Sequence, residues 1–182
     1  MAKNKYAKAK EVDFICRNQD SLKNLKNIPL IRDALFNIFF IFANKTRIDS
    51  KRLKEAQKSI DKKMLDLNNE YVNFYKEKLD YIDEDDFIKV MEANEFKTES
   101  FEYVPQSFGR FSGLFFRLDR CFCLLDYLWI DEEIHVKERD KKKNEFQRKY
   151  NRVAYSILLS NRMILETLES HKEEYKKKKN GR

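Results

Sequence analysis

Phe96-Lys97-Thr98-Glu99-Ser100-Phe101-Glu102-Tyr103-Val104-Pro105 leads into Phe108, Phe111, Phe115, Leu118, Phe122, Leu125 and Trp129. The first part is rich in β-branched and aromatic residues and reads as an extended strand. The second repeats apolar residues every three or four positions, the period of a helix buried along one face. Between them, Pro105, Gly109 and Gly113 crowd into nine residues of a 182-residue chain with only two Pro and three Gly. This is the one abrupt change of backbone in a sequence otherwise written for helix. A strand feeding a long amphipathic helix therefore fixes the fold class: mainly α, with long amphipathic helices and one short β-strand.

Working outward, Pro29 suits the first turn of a helix. That helix carries Leu30, Ile31, Ala34, Leu35, Ile38, Phe39, Ile41 and Phe42, and its apolar residues cover most of the circumference, which predicts a central position in the core. Asp49 or Ser50 caps a second helix of about thirty residues. Leu53, Ile60, Leu67, Phe74 and Tyr81 recur every seven positions along it, with Met64 and Tyr71 between them. Such a seam packs either within the chain or across a dimer. Asp83 caps a short acidic helix with Phe87, Ile88 and Met91. After the ladder helix, which ends near Ile130, Asp131-Glu132-Glu133 opens a last helical run through Phe146, Tyr150, Val153, Ile157, Ile164 and Leu168. The expected organisation is a basic tail (1–11), an N-terminal helical hairpin region (12–95), a strand-helix-helix unit (96–171) and a second basic tail (172–182). Residues 11–17 fit either a short strand or a first helical turn.

The net charge of +7 divides unevenly. Each tail contributes about +4, so the body between them is nearly neutral. Within the body, residues 80–102 carry nine acids against Lys89 and Lys97, and residues 137–152 carry eight Lys or Arg against three acids. The two blocks face each other or face different partners. The basic block is the best candidate for phosphate contacts, which supply affinity and salt dependence without reading sequence.

Catalytic chemistry finds little support. His135 and His171 are the only histidines, and Cys16, Cys121 and Cys123 form no metal-ligand pattern. Gly-rich phosphate loops and nucleophile elbows are missing. No enzyme activity, cofactor or metal is therefore expected. The cysteines read as reduced core thiols, the longest apolar stretch is too short and too charged for a bilayer, and the N-terminus has no apolar signal region. A cytoplasmic protein without membrane association is the expectation. On the ladder helix, Arg117 and Arg120 should be exposed, whereas Asp119 and Asp126 lie at the edge of the apolar stripe. A half-buried carboxylate needs a partner, expected to be an Arg of a facing helix. Gly109-x-x-x-Gly113 with Ser112 leaves a smooth patch for close packing or a dimer contact.

Phe101-Glu102-Tyr103-Val104-Pro105-Gln106-Ser107, Arg117-Leu118-Asp119 and Leu124-Leu125-Asp126-Tyr127-Leu128-Trp129 resemble the AcaB-like regulators carried by conjugative plasmids and integrating conjugative elements, over roughly residues 96–165. The resemblance implies a DNA-binding transcriptional regulator with a ribbon-helix-helix unit. In such folds two chains lend one strand each to a ribbon that enters the DNA major groove. It thus implies double-stranded DNA as partner and a homodimer. On that reading, with Phe101 and Tyr103 toward the core, Thr98, Ser100 and Glu102 face the groove, with Lys97 as a nucleic-acid contact beside them. The charge pattern makes Lys137, Arg139, Lys141, Lys142, Lys143, Arg148, Lys149 and Arg152 the phosphate-contacting candidates. The strand has only Lys97 as a base, and acids precede the last helix, both unfavourable for phosphate. The alternative is a helical adaptor that binds a protein partner and no nucleic acid.

Overall fold

The computed structural model describes residues 10–43, 50–94, 97–103 and 106–180, with the side chains of 10, 11, 39–43, 50, 102, 103, 106, 171, 172 and 174–180 left out. Asp49 as a cap, the break at Pro105 and the outer part of the N-terminal tail lie outside the described residues. The elements are strand β1 (Lys10–Cys16), a 3-10 turn (Gln19–Ser21), the one-turn helix α1 (Leu22–Leu25), α2 (Ile28–Ala43), α3 (Ser50–Leu79), α4 (Glu84–Ala93), β2 (Lys97–Tyr103), α5 (Gln106–Ile130) and α6 (Val136–Asn180). The fold is mainly helical, as the periodicity requires.

The ladder becomes α5, the central helix. Phe108, Phe111, Phe115, Leu118, Phe122 and Leu125 are buried, whereas Trp129, the expected last rung, is 41% exposed and Leu128 is buried in its place. Helix α3 lies against α5 and α6, and α2 lies mostly on α6. The seven-residue seam of α3 is spent inside this chain, since Leu53, Ile60, Met64, Leu67 and Tyr71 are buried in the main core. Tyr81 lies beyond the helix end and is 59% exposed. Tyr71 also donates its hydroxyl to the Phe146 carbonyl at 3.1 Å, tying α3 to α6.

Three expectations change. First, the described residues hold two strands, not one. β1 pairs antiparallel with β2 in the register Val12↔Phe101, Asp13↔Ser100, Phe14↔Glu99. Lys10 and Glu11 thus belong to the sheet and not to a tail. The ribbon that the resemblance draws from two chains is completed here by one chain. The reason lies in Phe14, whose ring packs on Phe101, Phe115 and Phe116 at centroid distances of 5.3, 5.3 and 5.4 Å. Burying that ring holds β1 on α5 beside β2. Second, α2 buries Ile28, Ile31, Ala34, Leu35 and Ile38 but leaves Leu30 and Phe36 exposed, and the side chains of Phe39, Ile41 and Phe42 lie outside those described. Third, Asp131-Glu132-Glu133 does not open a helix. It closes α5. Glu132 has φ 61°, and its N–H bonds the Trp129 carbonyl at 3.2 Å while that of Glu133 bonds Leu128 at 2.9 Å. That pair of bonds is the Schellman arrangement with a left-handed residue after the helix. The Lys141–Lys143 segment is helical, and α6 runs unbroken for 45 residues.

Asp83 caps α4 as expected, accepting from the Asp86 N–H at 3.1 Å. Glu84, Asp85 and Asp86 fill the first turn, where negative charge favours the helix dipole. Phe87 of α4 packs on Leu124 and Leu128.

Candidate nucleic-acid interface

The basic block does not act as one surface. Four of its eight cations are spent inside the protein. Lys143 is only 11% exposed and contacts Asp20 and Asp126, each at 2.7 Å. Arg139, 19% exposed, pairs with Asp140 at 2.8 Å and approaches Asp126 at 3.7 Å, with its guanidinium over the Trp129 ring. Lys142 pairs with Glu145 at 3.1 Å and sits over Phe146. Lys149 reaches Glu70 at 2.5 Å and Glu145 at 2.6 Å. These two acids raise the Lys149 ammonium above its ordinary range, and Lys149 with Lys142 holds Glu145 below its own. Among the described residues no ion pair joins this block to the acidic 80–102 segment. The two charge blocks do not neutralise each other there.

The other four cations, Lys137, Lys141, Arg148 and Arg152, are exposed. Their spacings of four, seven and four place them within about 60° around the helix and along roughly 22 Å of its length. They line the side of α6 opposite buried Phe146, Tyr150, Val153 and Ile157. This stripe has the form of a phosphate-contacting surface. Its exposure is decided by tertiary packing, because the eight cations alternate between the two sides of the helix within one run of sequence.

The ribbon presents different chemistry. Its outward residues include Asp13, Ile15, Thr98 and Ser100, while Phe14 and Cys16 point into the core. Ser100 donates to Asp13 at 2.5 Å, so its hydroxyl is already engaged. Lys97 forms an ion pair with Glu99. The outer face therefore combines hydroxyls with a carboxylate and Ile15, while Lys97, opposite Cys16 in the register, lies on the other side of the ribbon.

Asp119 has a different partner from the expected Arg. Its oxygens accept the backbone N–H groups of Arg17 at 2.9 Å and Asn18 at 3.0 Å. Burial raises its carboxyl above the usual range, against the pull of those two donors. It anchors the chain where β1 ends. Asp126 does meet an Arg of the facing helix, Arg139 at 3.7 Å, but its shorter contacts are the Asn18 amide and Lys143, each at 2.7 Å. Arg120 is half-buried over the Tyr75 ring, 4.4 Å from its centroid, because α3 packs beside it. Arg117 is exposed as expected and donates to the Gly113 carbonyl at 3.2 Å. Gly109 and Gly113 border a groove of about 520 Å³ with Asp61, Met64, Leu65 and Asn68 of α3. His135 accepts the Lys137 N–H at 3.2 Å and so caps α6. Among the described residues, no three His, Cys, Asp or Glu side chains converge as metal ligands.

No known family model matches this chain, and no curated protein does. Its fold is similar to that of a crystal structure, selenomethionine-containing AcaB from uropathogenic E. coli. The TM-score is 0.69, over 91% of this chain and 86% of that one, at 13% sequence identity. The likeness extends the resemblance seen over residues 96–165 to a shared fold along most of the chain. Among the described residues no helix is long and apolar enough to cross a membrane.

Proposed function

We propose that this protein is a DNA-binding transcriptional regulator of a mobile genetic element, non-enzymatic and acting as a homodimer, and that α6 makes the phosphate contacts. The observation that carries this reading is the exposed line of Lys137, Lys141, Arg148 and Arg152. The fold shared with AcaB supports it. Lys97, Thr98 and Ser100 take a secondary place, at the margin of the groove, because the ribbon face is poor in unpaired positive charge.

The test is fluorescence anisotropy on pooled duplex DNA, titrated with salt, using protein lacking residues 1–9 and 173–182. Four phosphate contacts per protomer, eight per dimer, give a log-log salt slope of about −7. Changing Lys137, Lys141, Arg148 and Arg152 to Glu should weaken binding uniformly across sequences and flatten the slope. Unchanged affinity in that variant refutes the reading. Sedimentation velocity tests the homodimer.

One observation favours a second reading, a helical adaptor for a protein partner. Past the basic stripe, α6 exposes Tyr155, Leu159 and Met163 at successive four-residue steps. If DNA binding fails, loss of partner capture on Leu159→Lys supports the adaptor.

A further inference from the structure

A cleft of about 390 Å³ lies between α4, the C-terminal end of α5, the first turns of α6 and the turn after β1. Its size falls within the range of small-molecule sites. One wall is apolar, formed by Phe87, Val90 and Met91 of α4 and by Trp129 and Ile130 of α5. Val90, Trp129 and Ile130 stay exposed at its mouth. The rest of the lining is a charged wall, with Arg17, Arg139 and Lys143 beside Asp20 and Asp126.

The bonding capacity left in this wall is cationic. Asp126 is satisfied by Asn18 and Lys143, and Asp20 by Lys143. Arg139 is taken up by Asp140 and the Trp129 ring. Arg17 is different. Among the described residues its guanidinium pairs with no carboxylate, and its Nε is buried without a hydrogen-bond partner. Its backbone is fixed by the Asp119 carboxylate, and Arg17 lines the cleft. A guanidinium without a carboxylate partner leaves donors for an anionic head.

We propose that this cleft binds a small organic anion with an apolar body, its acidic head on Arg17 and its body against Val90, Met91 and Trp129. The proposal is independent of DNA binding. It predicts a saturable site that discriminates by both charge and apolar surface.

Trp129 is the only tryptophan in the chain, so its fluorescence reports on this cleft alone. The probe is anilinonaphthalene sulfonate, with the uncharged N-phenyl-1-naphthylamine as control, titrated into the full chain. One equivalent of the sulfonate should quench Trp129 by energy transfer. Arg17→Met should weaken it about tenfold, the loss of one charge-assisted hydrogen bond, and leave the uncharged dye unaffected. Val90→Glu, at an exposed position where folding is not at stake, should also weaken the sulfonate by placing a carboxylate in the wall. Dye binding without Trp129 quenching, binding only at millimolar dye, or equal affinity in both variants overturns the proposal.

Discussion

Replacing Lys143 by Met separates a structural lysine from a DNA-contacting one. Lys143 Nζ lies 2.7 Å from carboxylate oxygens of both Asp20 and Asp126. A charge-assisted hydrogen bond contributes about 1.5–3 kcal/mol when well shielded, and about 0–1 kcal/mol when exposed. Asp126 is 30% exposed and Asp20 is 55% exposed, so the first bond counts nearly in full and the second little. Met recovers some packing against Phe122, and Arg139 still faces Asp126. The expected net loss is about 2 kcal/mol, combining these ranges. For a chain of this size that lowers the melting midpoint by about 4–8 °C. Urea unfolding followed by circular dichroism measures the loss, and a cycle with Asp126→Asn isolates the coupling.

The same variant has a pH signature. Burial acts to raise the Asp20 carboxyl, but the hydrogen bond and charge of Lys143, aided by Lys23 and Arg139, outweigh it and hold it below its ordinary range. A depressed carboxyl contributes stability above its unfolded value, near pH 3.9, and loses it as pH falls through the folded value. The Asp20 share of the gap between wild type and Lys143→Met should therefore close below about pH 4. A loss under about 0.5 kcal/mol, the size of an ordinary surface substitution, refutes the structural role. So does full additivity with Asp126→Asn.

Further outcomes follow from the packing. Asp119→Ala strands two backbone N–H groups at the end of β1 and should cost about 2–4 kcal/mol, read from denaturant midpoints. Glu132→Gly relieves the left-handed residue that closes α5 and should stabilise by about 0.5–1 kcal/mol in the same assay. Cys16 and Cys121, both pushed up to about 12 by burial, should resist a thiol reagent at pH 8 until the protein unfolds. The four-Glu stripe variant should melt close to wild type, since its cations are exposed, whereas Lys143→Met should not.

Local periodicity made much of the fold legible. The ladder from Phe108 to Leu125, the buried seam of α3, the Asp83 cap and the strand at 97–103 all express spacings within one segment, and apolar residues at those spacings have one face to bury. The candidate site was only half legible. A run of eight cations announces basic charge, but within it positions 139, 143 and 149 reach acids elsewhere in the fold, 142 pairs with Glu145 of its own helix, and 137, 141, 148 and 152 turn outward. The acids that claim them include Asp20, Glu70 and Asp126, and Asp20 lies more than a hundred positions away in the chain.

The sequence by itself determined the helices, their buried faces and one strand, because these follow from side-chain spacing along a continuous backbone. Tertiary structure alone decided that β1 completes the ribbon, that Asp119 holds the turn after β1, and which distant acids claim Arg139, Lys143 and Lys149. Those outcomes depend on contacts between distant segments, and a charge has no partner until the chain has folded around it.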